Sequence, residues 1–147
     1  MTTKADDLLD EVTARLQAGS PEVWYPLPTN VRRDHRVNVT LAKAPAIHVV
    51  DGDEEIVARR KNNCDVDIRL HFTVAVFVRD DQGFAAAAPI KTEVMARLNV
   101  DGVSPVYSHN AILEPGDIRK DQEIADNDSL RVEMKFWFLY SRDKWTL

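Results

Sequence analysis

The clearest pattern in the chain is a strict alternation of apolar and polar residues between Asp65 and Arg79. Even-numbered positions are apolar throughout, and odd-numbered positions are polar until Ala75 and Phe77 make the last third apolar on both sides. A repeat of two residues is typical of a β-strand, because successive side chains point to opposite faces of a sheet. The stretch from Leu130 to Ser141 repeats this alternation. We therefore predict a sheet built on two long strands with one dry face.

Two stretches have the apolar spacing of helices. The first, Asp6 to Gln17, places its leucines and valine on one side and two aspartates near the favourable positive end of the helix dipole. The second is predicted at Ala87 to Leu98, starting close to Pro89, because proline is tolerated only in the first turn. Its apolar stripe should cover the dry face of the sheet and consists of Ile90, Val94 and Leu98.

The remaining segments are shorter or more polar. Pro45 to Val50 predicts a short strand that ends at the following Asp-Gly pair, and the alternation allows another strand at Val37 to Leu41. Asp51 to Asn63 is interpreted as a loop or loose hairpin with an acidic first half and a basic second half. Asn99 to Asp128 is interpreted as a long polar connection, with a strand allowed at Val106 to Leu113.

Three large apolar residues, Phe77, Trp137 and Leu139, point away from the dry face if the alternation continues through both long strands. Either a second layer covers them, formed by the N-terminal helix or by the Pro-rich segment around Trp24, or a partner subunit does. We favour the second layer, because monomers bury most of their large aromatic side chains.

Length and charge narrow the class of protein. The chain has 147 residues, of which 44% are hydrophobic, and this is enough for a single domain over residues 1–147 with its own core. The formal net charge is −5, whereas domains that grip nucleic acid through phosphates usually carry positive charge. No apolar run is long enough for a membrane span, and the N-terminus does not resemble a signal sequence, so a cytoplasmic protein is expected.

No residue set has the spacing of a known catalytic or cofactor motif. The four histidines fall in no metal-binding spacing, the five glycines form no phosphate loop, and no serine lies in a GxSxG elbow. Cys64 lacks a thiol-enzyme motif and is interpreted as structural, and His71 is interpreted as an exposed or interface residue. We therefore predict no enzyme activity, no catalytic residue, no cofactor and no resident metal.

The charged run after Asp51 is the best candidate for a functional surface. Clustered carboxylates could bind a hard cation, but the spacing is not that of an EF-hand loop, and we favour a solvated turn. Opposite charges in one run also suit a protein–protein contact, although a screened surface loop remains an alternative. The candidate interface residues are Asp51, Asp53, Glu54, Glu55, Arg59, Arg60 and Lys61.

The order of these segments along the chain resembles a known family. An amphipathic N-terminal helix and a Pro-rich segment precede PAIHVVDGDEE, then come the long RLHFTVAVFVRDD strand, a helix ending in VMARL and a final EMKFWFLYSRD strand. This layout is similar to that of the tail terminator proteins, also called minor tail or tail completion proteins, of long-tailed bacteriophages and related prophages. The resemblance covers essentially the whole chain. It lies in the order of the segments and in their apolar and polar character, not in an invariant motif.

The resemblance implies an α+β protomer with a mostly antiparallel, mixed sheet and two helices packed on it. It implies a homo-oligomer, a hexameric ring, that caps the tail tube, stops tube polymerisation and provides the head-tail joining surface. The implied partners are the tail tube protein and the head completion or neck protein, while DNA passes through the ring without specific binding and no membrane is involved. The implied location is the head-tail interface of the virion, after synthesis in the host bacterial cytoplasm.

A ring interface is heterologous, so two different faces of the protomer must fit each other. The charged run Asp51 to Lys61 is the best candidate for one side, against a neighbouring subunit or the tail tube, and an acidic lumen would let DNA slide through. Another phage neck or tube subunit is the nearest alternative function. A small cytoplasmic ligand-binding α+β domain, with a concave polar pocket, is a more distant one.

Overall fold

A computed structural model describes residues 3–18, 30–33, 45–59, 65–79, 87–98, 107–124 and 129–143. The strands form one sheet in the order β1-β2-β3-β5-β4, in which β1 and β2 are parallel and all other neighbours are antiparallel. This confirms the predicted α+β class with a mixed sheet. The elements are α1 (Lys4–Gln17), β1 (Val31–Arg33), β2 (Ala46–Arg59), β3 (Asp65–Arg79), α2 (Ala87–Leu98), β4 (Ile112–Ile124) and β5 (Ser129–Asp143).

The two strands with the strongest alternation, β3 and β5, form the centre of the sheet, as predicted. They pair without a register shift from Asp65 opposite Asp143 to Arg79 opposite Ser129. Phe72 stacks on two rings of β5, with centroid distances of 5.5 Å to Phe136 and 5.3 Å to Phe138. All three rings are buried, so the even-numbered face of β3 builds the core.

Both helices cover this same face, which we call the helix face. The apolar stripe of α2 is fully buried there, and the predicted bounds of α2 are confirmed. The apolar side of α1 joins the same core, and α1 begins at Lys4, two residues before the predicted start. Thr3 and Asp6 form a capping box that satisfies backbone donors of the first turn. Neither described helix is long and apolar enough to cross a membrane.

The prediction that the strand beginning at Pro45 ends at the Asp51-Gly52 pair is wrong. β2 continues through Gly52 to Arg59 and stays paired with β3, with register shifts between Asp51 and Glu54 and between Ile56 and Ala58. A Cβ on Gly52 would lie 2.5 Å from the carbonyl oxygen of His71, so the backbones approach closely where glycine stands. The polar sequence correctly indicated exposure to solvent. The segment is nevertheless a strand, because β3 supplies the hydrogen-bond partners of its backbone.

The predicted long connection also contains regular structure. β4 occupies Ile112–Ile124 on the edge of the described sheet, so only two residues of the strand predicted at Val106 to Leu113 belong to it. Likewise, β1 follows the Pro-rich segment at a place where no strand was predicted. The strand allowed at Val37 to Leu41, the Trp24 segment and Cys64 lie outside the described residues.

The side of the sheet away from the helices, which we call the second face, is covered in part. Phe77 is buried with Ala46 and Ala75 in a small cluster, whereas Trp137 and Leu139 at the other end are half-buried. The suggestion that the N-terminal helix covers this face is wrong, because α1 packs on the helix face. One end of the second face therefore remains partly exposed.

Candidate assembly interface

Five of the seven predicted interface residues lie on β2, four of them in its second half, and Arg60 and Lys61 lie outside the described residues. Every residue from Gly52 to Val57 is exposed, although this segment is paired with β3. Alternation along a strand sends neighbouring side chains to opposite faces. The acidic residues therefore divide between the helix face and the second face instead of forming one patch.

Asp51 faces α1 and takes part in an ion-pair cluster around Arg33 of β1. The Arg33 guanidinium lies 3.1 Å from Asp51, 2.7 Å from Asp6 and 2.8 Å from Asp10. Burial alone would lower the pKa of Arg33, but the hydrogen bonds to these three carboxylates outweigh it and raise that pKa. The same contact to Arg33, with a further hydrogen bond from Thr3, lowers the pKa of Asp6. The cluster ties β1 and β2 to α1.

Glu54 and Glu55 are held on opposite faces of the sheet. The Tyr140 hydroxyl donates to Glu54 at 2.8 Å on the helix face. On the second face, Arg69 donates to Glu55 at 2.9 Å and His71 Nε2 lies 3.2 Å from the same oxygen. Hydrogen bonding to His71, and then to Arg69, lowers the pKa of Glu55. Both carboxylates therefore bridge strands within the chain.

Asp53 differs from its neighbours. It lies at the first register shift of β2, it is exposed, and within the described ranges it makes no ion pair or side-chain hydrogen bond. Among the residues that the structure describes, no group of three His, Cys, Asp or Glu side chains is placed to hold a metal ion. Asp53 is thus the predicted acidic residue most available to a partner.

The second face presents a partly exposed apolar surface, to which Ile112 and Val57 contribute in addition to the predicted Trp137 and Leu139. Ile112 is 59% exposed at the start of β4, and its register partner on β5 is Leu139. Val57, at the second register shift of β2, is 40% exposed. These residues border an open groove of about 720 Å³ that is lined by Lys4, Val57, Asp67, Arg69, His109, Asn110, Ile112, Leu139, Tyr140 and Ser141.

A row of polar and aromatic contacts supports the edge of this surface. The Arg69 guanidinium carbon lies 5.2 Å from the centroid of the Trp137 ring, and Trp137 Nε1 donates to Glu114 at 2.6 Å. A Cβ on Gly116 would lie 3.0 Å from the Trp137 ring, so glycine leaves room for that ring. Tryptophan and arginine are enriched among residues that dominate protein interfaces. The sequence signal for this surface was the apolar pair Trp137 and Leu139 on an otherwise charged face.

Comparisons with known proteins bear on the architecture. No protein-family model and no curated protein matches the sequence. Among solved structures, a chain of the virion of a native gene transfer agent particle matches with a TM-score of 0.66 at 20% identity. The match covers 97% of this chain and 100% of that chain. The two chains share a fold.

Proposed function

We propose that this protein is a virion structural subunit that caps the end of a phage-like tail tube as a ring, stops tube polymerisation and provides the head-tail joining surface. The observation that carries the proposal is the end-to-end likeness in fold to a chain of a gene transfer agent virion. The segment order that resembles tail terminator proteins narrows the proposal from a virion protein to a tail cap.

The distribution of exposed surface is consistent with a ring. A cyclic, head-to-tail interface needs two different surfaces on each subunit. Here the helix face is closed by α1 and α2, while the second face ends in the partly exposed groove bordered by Val57 and Ile112. Apolar surface of this kind on a soluble protein is typical of a contact region.

We assign one side of the subunit or tube contact to the second half of β2 and the basic residues that follow it in sequence. Asp53 projects from this segment without an intrachain ion pair in the described residues, and Ile56, three residues further along β2, is 46% exposed. Exposed apolar side chains can supply the binding energy of a contact, and neighbouring charges of both signs can set its register. In the assembled ring, the net negative charge of the chain would favour a lumen through which DNA slides.

Deletion of the coding sequence from the genome that carries it tests the tail-cap function. Without the cap, tube polymerisation should continue, so electron micrographs should show tails of abnormal and variable length that are not joined to filled heads. Complementation with the wild-type chain should restore uniform tails. Tails of normal length that merely lack heads would favour the neck subunit instead, and normal infectious particles would contradict a virion role.

Charge reversal of Arg59, Arg60 and Lys61 to glutamate tests the assigned contact in the same complementation assay. We expect a folded protein that no longer joins tails to heads, because the substitutions reverse the charge that this segment offers to the partner. The control is Lys91→Glu on α2, which reverses a charge that has no ion-pair partner among the described residues. Full assembly with the triple variant would exclude this segment from the interface.

A further inference from the structure

The sheet has two edges that no strand of the described residues covers. β4 is the last strand at one end and pairs with β5 on one side only. At the other end, β1 pairs with residues 47–49 of β2, so the second half of β2 has a described neighbour only in β3. An uncovered edge presents a row of backbone N–H and C=O groups to which another strand can pair. Each copy of the chain therefore offers two different edges for strand pairing.

Register shifts restrict where these edges can accept a strand. In β2, the ladder to β3 is regular over residues 54–56, between two register shifts, and we call this segment the β2 window. In β4, the ladder to β5 is regular over residues 118–121, also between two register shifts, and we call this segment the β4 window. Pro115, which has no N–H to donate, precedes the β4 window. Bulges and prolines block indiscriminate pairing at a sheet edge, so each edge keeps one short regular segment.

The two windows complement each other in one direction of pairing. In the antiparallel register that matches their isoleucines, acidic residues of β2 lie opposite basic residues of β4. The register pairs are Ile56 with Ile118, Glu55 with Arg119 and Glu54 with Lys120. Parallel pairing of the same windows would instead set Glu54 opposite Ile118 and Ile56 opposite Lys120. Opposite charges on neighbouring strands stabilise a sheet, so the sequences favour the antiparallel contact.

The faces of the sheet agree with this register. Ile56 is in register with Ile68 of β3, and Ile118 is in register with Met134 of β5. Both of these partners are fully buried in the core on the helix face. The two isoleucines therefore belong to the same face, as residues opposite each other in a continuous sheet must.

Glu55 has capacity for a further hydrogen-bond donor. Arg69 and His71 both contact its Oε1 atom, at 2.9 and 3.2 Å. An ionised carboxylate accepts at both oxygens, so Oε2 is left for a donor outside the described residues. The Glu55 side chain is 48% exposed, and the contacts to His71 and Arg69 lower its pKa, which keeps it charged at neutral pH.

The directions of the strands allow the same contact in a ring. β2 is antiparallel to β3, β3 to β5 and β5 to β4, so β2 and β4 run in opposite directions within one subunit. Rotation about a ring axis close to the strand direction preserves the direction of every strand. β4 of one subunit thus meets β2 of the next in antiparallel orientation. The two edges differ from each other, as a heterologous ring contact requires.

We propose that the β4 window of one copy pairs with the β2 window of the next copy, which joins the sheets of neighbouring subunits. The partner is a second copy of this chain, held by main-chain hydrogen bonds and set in register by the charge pairs. This inference deepens the proposed function and rests on its ring, because it names the second surface of the subunit contact.

Disulfide linkage tests the register in assembled particles. Ile56→Cys and Ile118→Cys in a Cys64→Ser chain should link neighbouring copies on mild oxidation, because the Cα atoms of opposite residues lie about 4.5–5.5 Å apart. Non-reducing gels should then show multimers of linked chains. Either cysteine alone, or Ile56→Cys combined with Lys91→Cys on α2, should give no multimers.

The failure of this inference and the failure of the tail cap give different results. Particles that carry the double variant without linked copies would overturn the pairing and leave the tail cap standing. Linked copies of the purified chain, together with particles that lack it, would support the pairing and contradict the tail cap.

Exchange of the charge pair Glu54 and Lys120 tests the contact in purified protein by sedimentation equilibrium. Glu54→Lys or Lys120→Glu alone should weaken self-association about tenfold or more, because like charges then face each other, and the double variant should recover it. Tyr140→Phe removes the intrachain hydrogen bond of Glu54 without changing the charge of the edge, so association should stay at the wild-type level. Equal association of all variants, or no recovery in the double variant, would overturn the pairing.

Discussion

The two halves of β2 are attached to the same neighbouring strand by different means. In the first half, Ile47 and Val49 are fully buried between the sheet and the helices, and β1 pairs on the outer side. In the second half, Gly52–Val57 is exposed, and the ladder to β3 contains two register shifts. Side chains such as Glu54 and Glu55 reach across to other strands there.

This difference shows which half of β2 is harder to separate from β3. Burying a large aliphatic side chain is worth roughly 1.5–3 kcal/mol, whereas one hydrogen bond contributes about 0.5–1.5 kcal/mol net. The first half of β2 is therefore part of the stable core. The second half, held mainly by polar contacts, is the half that can adjust to a partner at lower cost.

The largest expected effect compares the same substitution in both halves. Ile47→Ala should lower the free energy of unfolding by about 2–5 kcal/mol, because it leaves a cavity in the core. Ile56→Ala, on a side chain that is 46% exposed, should change it by no more than about 0.5 kcal/mol. Urea denaturation of both variants measures the difference. Equal losses would show that the second half is as well packed as the first.

Gly52→Ala probes the point where the two halves meet. The added Cβ would lie 2.5 Å from the His71 carbonyl oxygen, so the strands must separate locally. Overpacking of this kind costs about 1–3 kcal/mol. The neighbouring Asp53→Ala, on an exposed side chain, is the control in the same denaturation experiment. An unchanged unfolding midpoint for Gly52→Ala would mean that the close approach is not needed.

Arg33→Met tests the ion-pair cluster that ties Asp51 to α1. The Arg33 side chain is 21% exposed while its carboxylate partners are more exposed, so we expect a loss of about 1–2 kcal/mol at pH 7. Since the pKa of Asp6 is lowered in the fold, its contribution is present above about pH 4–5 and is lost as the pH falls through the lowered value. Stabilities of wild type and variant should therefore converge in acid. A difference that is constant from pH 7 to pH 3 would contradict the electrostatic explanation.

Apart from the exposed control positions, Tyr140→Phe should have the smallest effect, about 0.5–1.5 kcal/mol, because it removes the hydrogen bond to Glu54 in the exposed half of β2. A double-mutant cycle with Glu54→Gln isolates that contact from others made by the same residues. Additive losses in the cycle would show that the Tyr140–Glu54 bond does not hold this half of β2.

Sequence patterns predicted β3, β5 and α2 because each has one face in the core, and burial imposes a period on the residues that face it. The second half of β2 has no buried face, so its residues follow no such period, and charges there are compatible with a strand as well as a loop. β4 escaped prediction for a related reason. Its sequence is polar and includes Pro115 and Gly116, which lower strand propensity, yet pairing with β5 holds it in the sheet.

The exposure of part of the charged run was predictable, because few apolar residues interrupt it, and Gly52 to Val57 are exposed. That this run forms an interface stays a prediction. Sequence alone could not show that Asp51 would bind Arg33 or that Glu54 and Glu55 would point to opposite faces, since both depend on register and on partners distant in the chain. The groove around Ile112 required the fold, which brings residues of β2, β3, β4 and β5 together.

The most direct test of the proposed function is cryo-electron microscopy of particles produced from the genome that encodes this chain, with the protein carrying a small C-terminal tag bound by a labelled antibody fragment. The account predicts a ring of six copies at the end of the tail tube that faces the head, with one label on each copy. Label at any other position in the particle, or purified particles that contain no copy of the chain, would contradict it.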